Sequence, residues 1–333
     1  MPSGSPSLRI GIVGAGIGGL TAALALSDAG HAVTVIERRT GFSEVGAGIQ
    51  ISPNASHVLA GLGLSAALRR AASEPPGVEV RALDSGRRIG GVALGARAQS
   101  RFGAPYYVIH RADLQTLLLD AFRSRSTIRL LMGRTVTAVS ETASEAVLTV
   151  EGASGAQPVA FDLAIGADGL RSRLRAHLDS APLRPGQAAA WRALIPMAAP
   201  LRDLLSLPDS WLVWSLADRA VARPLARDRL ALIGDAGHPV LPYLAQGAAL
   251  AIEDAAVLTR ALADHADVPA ALAAFSGART ARVRKVQTAA RSNGRTYHAG
   301  GVVAFVRDAV MSRLGPDGMR DRYAWLYGWT PPA

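Results

Sequence analysis

Apolar positions change their spacing twice in the first forty residues. Leu8 to Val13 is a short, nearly continuous apolar run, Ile17 to Ala29 sets Leu20, Ala23, Leu24 and Ala25 along a helical stripe, and Ala32 to Ile36 is a second β-branched run. Short apolar runs around a segment of period 3.6 predict a βαβ unit of roughly thirty residues, with Gly30 supplying the C-terminal cap of its helix. After the glycine-rich loop Gly41 to Gln50, Ser52-Pro53 reads as N-cap and first turn of a helix reaching about Leu62. Val78 to Leu83 and Arg88 to Leu94 are strand-like, and a helix is expected from about Arg111 to Ser124. Runs near Ile128 to Leu131, Val136 to Val139 and Ala146 to Val150 predict a meander, with Gly152 to Gly155 as its turn. Leu163 to Ile165 returns the chain to the parallel sheet, and Leu230 to Ile233 is its last core strand. Beyond Gln246 the pattern is helical, with one helix to about Ala263 and a long one from about Pro269 to Arg291. No repeat or low-complexity linker separates these pieces, so the sheet is expected to be assembled from segments far apart in sequence.

Composition narrows the function classes. With 333 residues, 49% of them hydrophobic, the chain can bury one large core or two coupled ones. It has no cysteine, which excludes disulfides and thiolate-held metal and agrees with a reducing cytoplasm. The seven histidines show no H-x-x-x-H spacing, so no metal is expected. The apolar stretch Ile10 to Ala29 carries five glycines and Asp28 and has no charged region before it, so a buried strand and helix explain it better than a membrane span or signal. Net charge is +10, yet of 36 basic residues Lys285 is the one lysine, in a chain rich in alanine and glycine. Biased codon usage accounts for such a composition, so attraction for anionic cofactors and carboxylates is expected rather than nucleic-acid binding. Arg171, Arg173 and Arg175, and likewise Arg279, Arg282 and Arg284, read as basic helix faces.

Three strand-terminal motifs carry the chemistry. Gly14-Ala15-Gly16-Ile17-Gly18-Gly19 is a G-x-G-x-x-G between strand and helix, where a pyrophosphate must approach backbone N–H groups at the positive helix end and side chains would hold it away. Glu37 ends the second strand about twenty residues on, where a carboxylate accepts from ribose hydroxyls. Such a constellation binds a dinucleotide without separating FAD from NAD. The segments Asp162 to Gly169 and Leu232 to Pro239 each place an acid just past a strand, at Asp168 and Asp235. Either acid could cap a turn; together they suit a polyol, and FAD has a ribityl chain where NAD has none.

With these motifs the chain resembles the class A flavoprotein monooxygenases, and among them the salicylate hydroxylase-like branch, from Leu8 to about Met197 and from Leu201 onward. Further markers are Gly46 to Asn54, His110 to Leu114, Ala190-Trp191-Arg192, and the stretch from Gly234 through Gln246-Gly247 to Glu253-Asp254. The resemblance implies an α/β fold with a glutathione reductase-type, Rossmann-like FAD domain (residues 1–70, 105–180 and 228–265), a β-sheet substrate domain (71–104 and 181–227) and a C-terminal helical region (266–333). It implies FAD contacts at Gly14, Ala15, Gly16, Gly19, Glu37, Arg38, Gln50, Arg111, Asp168, Asp235, Pro242, Gly247 and Ala248. Glu37 would hold the adenosine ribose, Arg111 the pyrophosphate and Asp235 the ribityl chain. NADPH or NADH would reduce FAD, oxygen would add at flavin C4a, and the hydroperoxide would hydroxylate a small aromatic substrate of the salicylate or hydroxybenzoate type. The partners implied are that substrate and molecular oxygen, with no nucleic acid or membrane, in a monomer or homodimer.

Gln50, His238 and Tyr243 are the catalytic candidates: His238 is a base by its neutral-range imidazole or a turn residue by its place, and Tyr243 touches substrate or packs. Tyr323, Trp325, Tyr327 and Trp329 are expected to cover the core or a dimer contact. One departure stands out. Pro196 to Pro200 joins the Trp-Arg strand almost directly to the segment 201–214, where relatives carry several more strands and a helix. The substrate domain is therefore expected to be reduced, with a small or open pocket formed by Gln50, Arg192, Trp211, Tyr243 and the tail. Release of peroxide, or FAD binding without turnover, are the alternatives that this shortening raises.

Overall fold

The computed structural model describes residues 6–42, 48–82, 85–192 and 211–332, with backbone alone at 185–187 and 191–192. The expectations for Gly46-Ala47, for the join at Pro196 to Pro200, for 201–210 and for the Arg192 side chain lie outside these residues.

In chain order, β1 (Arg9–Val13), α1 (Ile17–Asp28) and β2 (Ala32–Glu37) form the expected βαβ unit. They are followed by β3 (Gly48–Ile51), α2 (Pro53–Gly61), α3 (Ser65–Ala71), the hairpin β4 (Gly77–Arg81) and β5 (Arg88–Ala93), α4 (Ala96–Phe102), β6 (Tyr107–His110) and α5 (Arg111–Arg123). Then come β7 (Ile128–Met132), β8 (Thr135–Glu141), β9 (Ala146–Gly152), β10 (Gly155–Phe161), β11 (Leu163–Gly166), α6 (Arg175–Leu178), β12 (Arg184–Arg192), β13 (Leu212–Asp218), β14 (Ala226–Arg227) and β15 (Leu230–Leu232). Four helices end the described chain: α7 (Gly247–Asp264), α8 (Val268–Tyr297), α9 (Gly301–Asp321) and α10 (Ala324–Tyr327).

The central sheet has the order β14-β15-β11-β1-β2-β7. Its strands are parallel except for β14, which pairs antiparallel with β15. A parallel sheet needs both faces covered, and the strands obey: β11 and β15 are buried throughout. Helix α1 is buried on nearly all sides, from Leu20 through Leu26, because it lies against α5, α7 and β2. Its uniformly apolar composition follows from that enclosure. Gly11 sits in β1 because a Cβ there would stand 2.7 Å from the Phe161 ring.

Two sequence expectations need correction. Ile128–Met132 is an edge strand of the parallel sheet, in register with β2, and the meander is β8-β9-β10. Its third strand, Gly155–Phe161, carries Pro158 and an exposed first half, so it lacked the alternation that marks a half-buried strand. The arginine clusters are not uniformly solvated either: Arg175 and Arg279 are the two largest fully buried side chains. As expected, Tyr327 joins the main core, with Tyr323, Trp325 and Trp329 packed against it. No helix among the described residues is long and apolar enough to cross a membrane.

Candidate active site

A cleft runs along the C-terminal ends of β1, β2, β11 and β15, where parallel sheets of this kind leave a crevice. One lobe, of about 270 Å³, is lined by Gly14, Ala15, Glu37, Arg38 and Asp168 among others. A second, of about 440 Å³, is lined by Gln50, Asp235, Pro242, Gly247 and Ala248. Gly16, Arg111, Ala167 and Gly169 line both, so the two lobes are one continuous cleft.

The three motif glycines do different work. At Gly14, φ is +107° and a Cβ would stand 2.5 Å from the Ala167 carbonyl oxygen. At Gly19 a Cβ would meet the Gly14 oxygen at 2.0 Å, so this position closes the turn against helix α1 and does not line the cleft. At Gly16 a Cβ would meet nothing within 4 Å. The space there is open, and only glycine leaves backbone N–H groups bare to it at a helix start. Glu37 is held at the lip: its carboxylate accepts from the Ala15 N–H at 2.8 Å and from the Arg39 N–H at 3.0 Å. Gln115, which the sequence did not single out, donates to the Ala15 oxygen at 2.8 Å and braces the same turn from α5.

Charge around the first lobe is strongly positive. Arg38, Arg39, Arg111, Arg134, Arg171 and Arg173 all line it. None of the six has a carboxylate within ion-pair distance among the described residues. Arg111 opens α5, where a cation opposes the helix dipole. An anion in the cleft would remove that conflict. Asp168 accepts from the Arg173 N–H at 2.8 Å, while its other oxygen is buried without a hydrogen-bond partner.

Asp235 stands on a short 3₁₀ turn, Gly234–Ala236, whose first residue has φ +56°. Its side chain is exposed and opens onto the second lobe. Desolvation by the walls of the lobe raises the carboxyl pKa, with His238 and Arg111 opposing the rise.

Behind this turn lies a buried ionic network of which the sequence showed only fragments. Asp254 accepts from the Gly234 N–H at 2.8 Å, from His238 Nε2 at 2.7 Å and from Arg279 Nε at 2.7 Å. Burial pushes its pKa up, but His238 and Arg279 outweigh that and hold the carboxyl down at about 2. Its neighbour Glu253 binds Arg279 and Arg282 and accepts from Asn54 Nδ2 at 2.6 Å. Asn54 also donates to Gln246 at 3.2 Å, and Gln246 donates to Ser52 at 2.9 Å. One acidic pair on α7 thus ties together the Gly234 turn, the start of α2 and the entry to α7 itself. Arg175 braces the same turn, donating to the Ala236 oxygen at 3.3 Å and the Gly237 oxygen at 2.8 Å. Arginine periodicity on a helix does not reveal burial, so reading Arg175 and Arg279 as parts of basic helix faces does not show that both are buried.

Of the three catalytic candidates, only Gln50 lines the cleft. His238 is 1% exposed and lies behind the wall on Asp254. Tyr243 faces α8, where a Cβ on Gly294 would touch its ring at 2.6 Å, and it packs edge-on against Tyr297 and His298. Ala245, between Tyr243 and Gln246, has φ +52°, a conformation that favours glycine. Nearby, Gly237 has no room for a side chain, since a Cβ would lie 2.8 Å from Leu225. The described residues contain no group of three or more side chains able to hold a metal.

Comparison with known proteins gives a consistent result. A family described as FAD binding domain matches residues 7–219 and 208–290. The chain is similar to a 3-hydroxybenzoate 6-hydroxylase of Polaromonas naphthalenivorans (strain CJ2), 30% identical over 398 aligned positions that cover 99% of this chain and 98% of that protein. It is 33% identical to the 3-amino-4-hydroxybenzoate 2-monooxygenase PtmB3 of Streptomyces platensis, covering 96% of each. An alignment of 398 positions exceeds the 333 residues of this chain, so relatives carry internal residues that it lacks. The fold matches that of Klebsiella pneumoniae HpxO complexed with FAD and uric acid, with TM-score 0.83, 23% identity and 95% of each chain covered. It also matches a salicylate hydroxylase substrate complex, with TM-score 0.73, 21% identity, and 98% and 99% of the two chains covered.

Proposed function

As a member of the FAD-binding domain family, and within it of the class A flavoprotein aromatic monooxygenases, the chain is an FAD-dependent enzyme, and we propose that it hydroxylates a small hydroxybenzoate-type aromatic acid with NAD(P)H as reductant. The observation that carries the reading is the convergence of Glu37, Arg111 and Asp235, from three distant segments, on one continuous cleft.

The residues present fit FAD. The bare turn at Gly16 would receive the pyrophosphate on backbone N–H groups, and Arg111 would neutralise it. Glu37, already fixed by two backbone donors, keeps lone pairs for ribose hydroxyls, and Arg38 lies beside it on the adenosine side. Asp235 would accept from the ribityl chain. Gly247 and Ala248 open an 18-residue helix at the second lobe, so their free N–H groups and the helix dipole favour negative charge there. When bound, FAD accepts a hydride equivalent from NAD(P)H and activates molecular oxygen for transfer to the ring. The protein's part is to hold, orient and exclude water. Gln50, on the wall of the second lobe, would meet the aromatic substrate or the flavin edge, while His238 would act through the Gly234 turn. We read residues 1–70, 105–180 and 228–265 as the cofactor unit, and the cysteine-free chain as working in the cytoplasm.

The test is product identity. FAD-loaded protein with NADPH or NADH and a panel of hydroxybenzoates is expected to yield a ring-hydroxylated acid carrying one atom from labelled oxygen gas. Reduction of the flavin by NAD(P)H in the presence of every aromatic acid tried, with no oxygenated product, would overturn the reading.

A further inference from the structure

Gln50 lines the second lobe from β3, and its side-chain oxygen is already engaged. The Tyr106 hydroxyl donates to Gln50 Oε1. Tyr106 is 3% exposed, and burial raises its pKa, so the phenol keeps its proton. Tyr327 of α10 packs edge-on against it with ring centroids 5.9 Å apart. Burial together with the neighbouring phenols also raises the Tyr327 pKa. A phenol has one proton to donate. The Tyr106 proton is therefore spent on Gln50, with Tyr327 packed against the Tyr106 ring behind it.

An amide whose oxygen is engaged in this way offers its NH₂ group alone. Among the described residues no acceptor pairs with Gln50 Nε2. The other polar side chains on this lobe are Arg111, a second donor, and Asp235, an acceptor of raised pKa.

We propose that Gln50 is a polarity-fixed hydrogen-bond donor that selects an acceptor oxygen, on an aromatic carboxylate or oxyanion or on the flavin ring, and that Tyr106 is the positioning residue that fixes its polarity. The proposal rests on the second lobe being the flavin and substrate site, and it names the chemistry of the atom that Gln50 meets.

Two titrations test it: benzoate into FAD-loaded protein, followed by the perturbation of flavin absorbance, and FAD into apoprotein, followed by fluorescence quenching. Gln50→Leu is expected to weaken one of the two affinities by about 3- to 10-fold, the worth of one hydrogen bond. Gln50→Glu keeps the size and the acceptor for Tyr106 but replaces the donor with a carboxylate, and is expected to weaken the same affinity by more than about tenfold. Loss confined to benzoate assigns the acceptor oxygen to the substrate; loss confined to FAD assigns it to the flavin; either supports the donor role. Tyr106→Phe alone is expected to cost about 3-fold, and nothing further in a Gln50→Leu background, because a residue acting only through another shows full coupling in the double-mutant cycle. Should Tyr106→Phe lose its fold, the Gln50→Leu and Gln50→Glu titrations carry the test. Unchanged affinities in Gln50→Glu, or additive losses in the cycle, would overturn the proposal. Neither titration reads hydroxylation, so absence of oxygenated product would count against the proposed function and leave this result standing.

Discussion

The floor of the cleft and its β12–β13 wall are built to different standards. On the floor, backbone turns are locked by glycines without room for a Cβ and by an ionic network in which Glu253, Asp254 and Arg279 are at most 1% exposed. The wall is a two-stranded ribbon in which Leu212, Val213 and Trp214 are each about half exposed, and among the described residues it reaches the cleft through Trp214, at the first lobe. A cofactor held through many fixed donors needs rigidity at every contact. A face that meets its ligand through few fixed donors can be built more sparsely. The two parts of the cleft thus differ in how tightly the fold holds them.

The largest effect expected from breaking the floor is at the first turn. Gly19→Val drives side-chain atoms into the Gly14 carbonyl, and no FAD-retaining folded protein is expected, as judged by absorbance after gel filtration. Arg279→Met leaves two buried carboxylates short of their cation; a loss of about 3–5 kcal/mol is expected in urea unfolding. A third test uses pH. The Asp254 pKa lies near 2, below its ordinary 3.8, so its contribution is fully present above about pH 4 and fades as pH falls toward 2. Unfolding free energies measured between pH 6 and pH 2.5 should therefore drop more steeply in the wild type than in Asp254→Asn. The smallest effect belongs to the wall: Val213→Thr, at a half-exposed position, should change stability by no more than about 0.5 kcal/mol. A large loss there would mean that the wall is as tightly built as the floor.

Much of the floor is legible in the amino-acid sequence. The βαβ unit, α2, α5 and the last core strand lie within one or two residues of their expected bounds, because turn glycines, Pro53 and apolar runs mark their ends. Glu37 and Asp235 stand out because strand-end motifs force particular residue types into particular places, whereas Arg111 is reached through the family resemblance. Long-range pairing is not legible. Ile128–Met132 has the same local pattern whether it joins a meander or the parallel sheet, and its register with β2 decides. Nor can sequence spacing show that Arg279 faces Glu253 and Asp254 rather than water, or that Tyr243 turns toward α8 instead of the cleft. Such facts depend on which helices meet, and three of the ionic partners lie more than twenty residues apart.

The sharpest measurement is the coupling ratio: moles of hydroxylated acid and of peroxide formed per mole of NAD(P)H oxidised, with 3-hydroxybenzoate and related acids. A second lobe sufficient for the substrate predicts product close to the NAD(P)H consumed for at least one acid. Peroxide accounting for all of the NAD(P)H with every acid would contradict the account, since the cleft would then hold its cofactor without protecting the reaction.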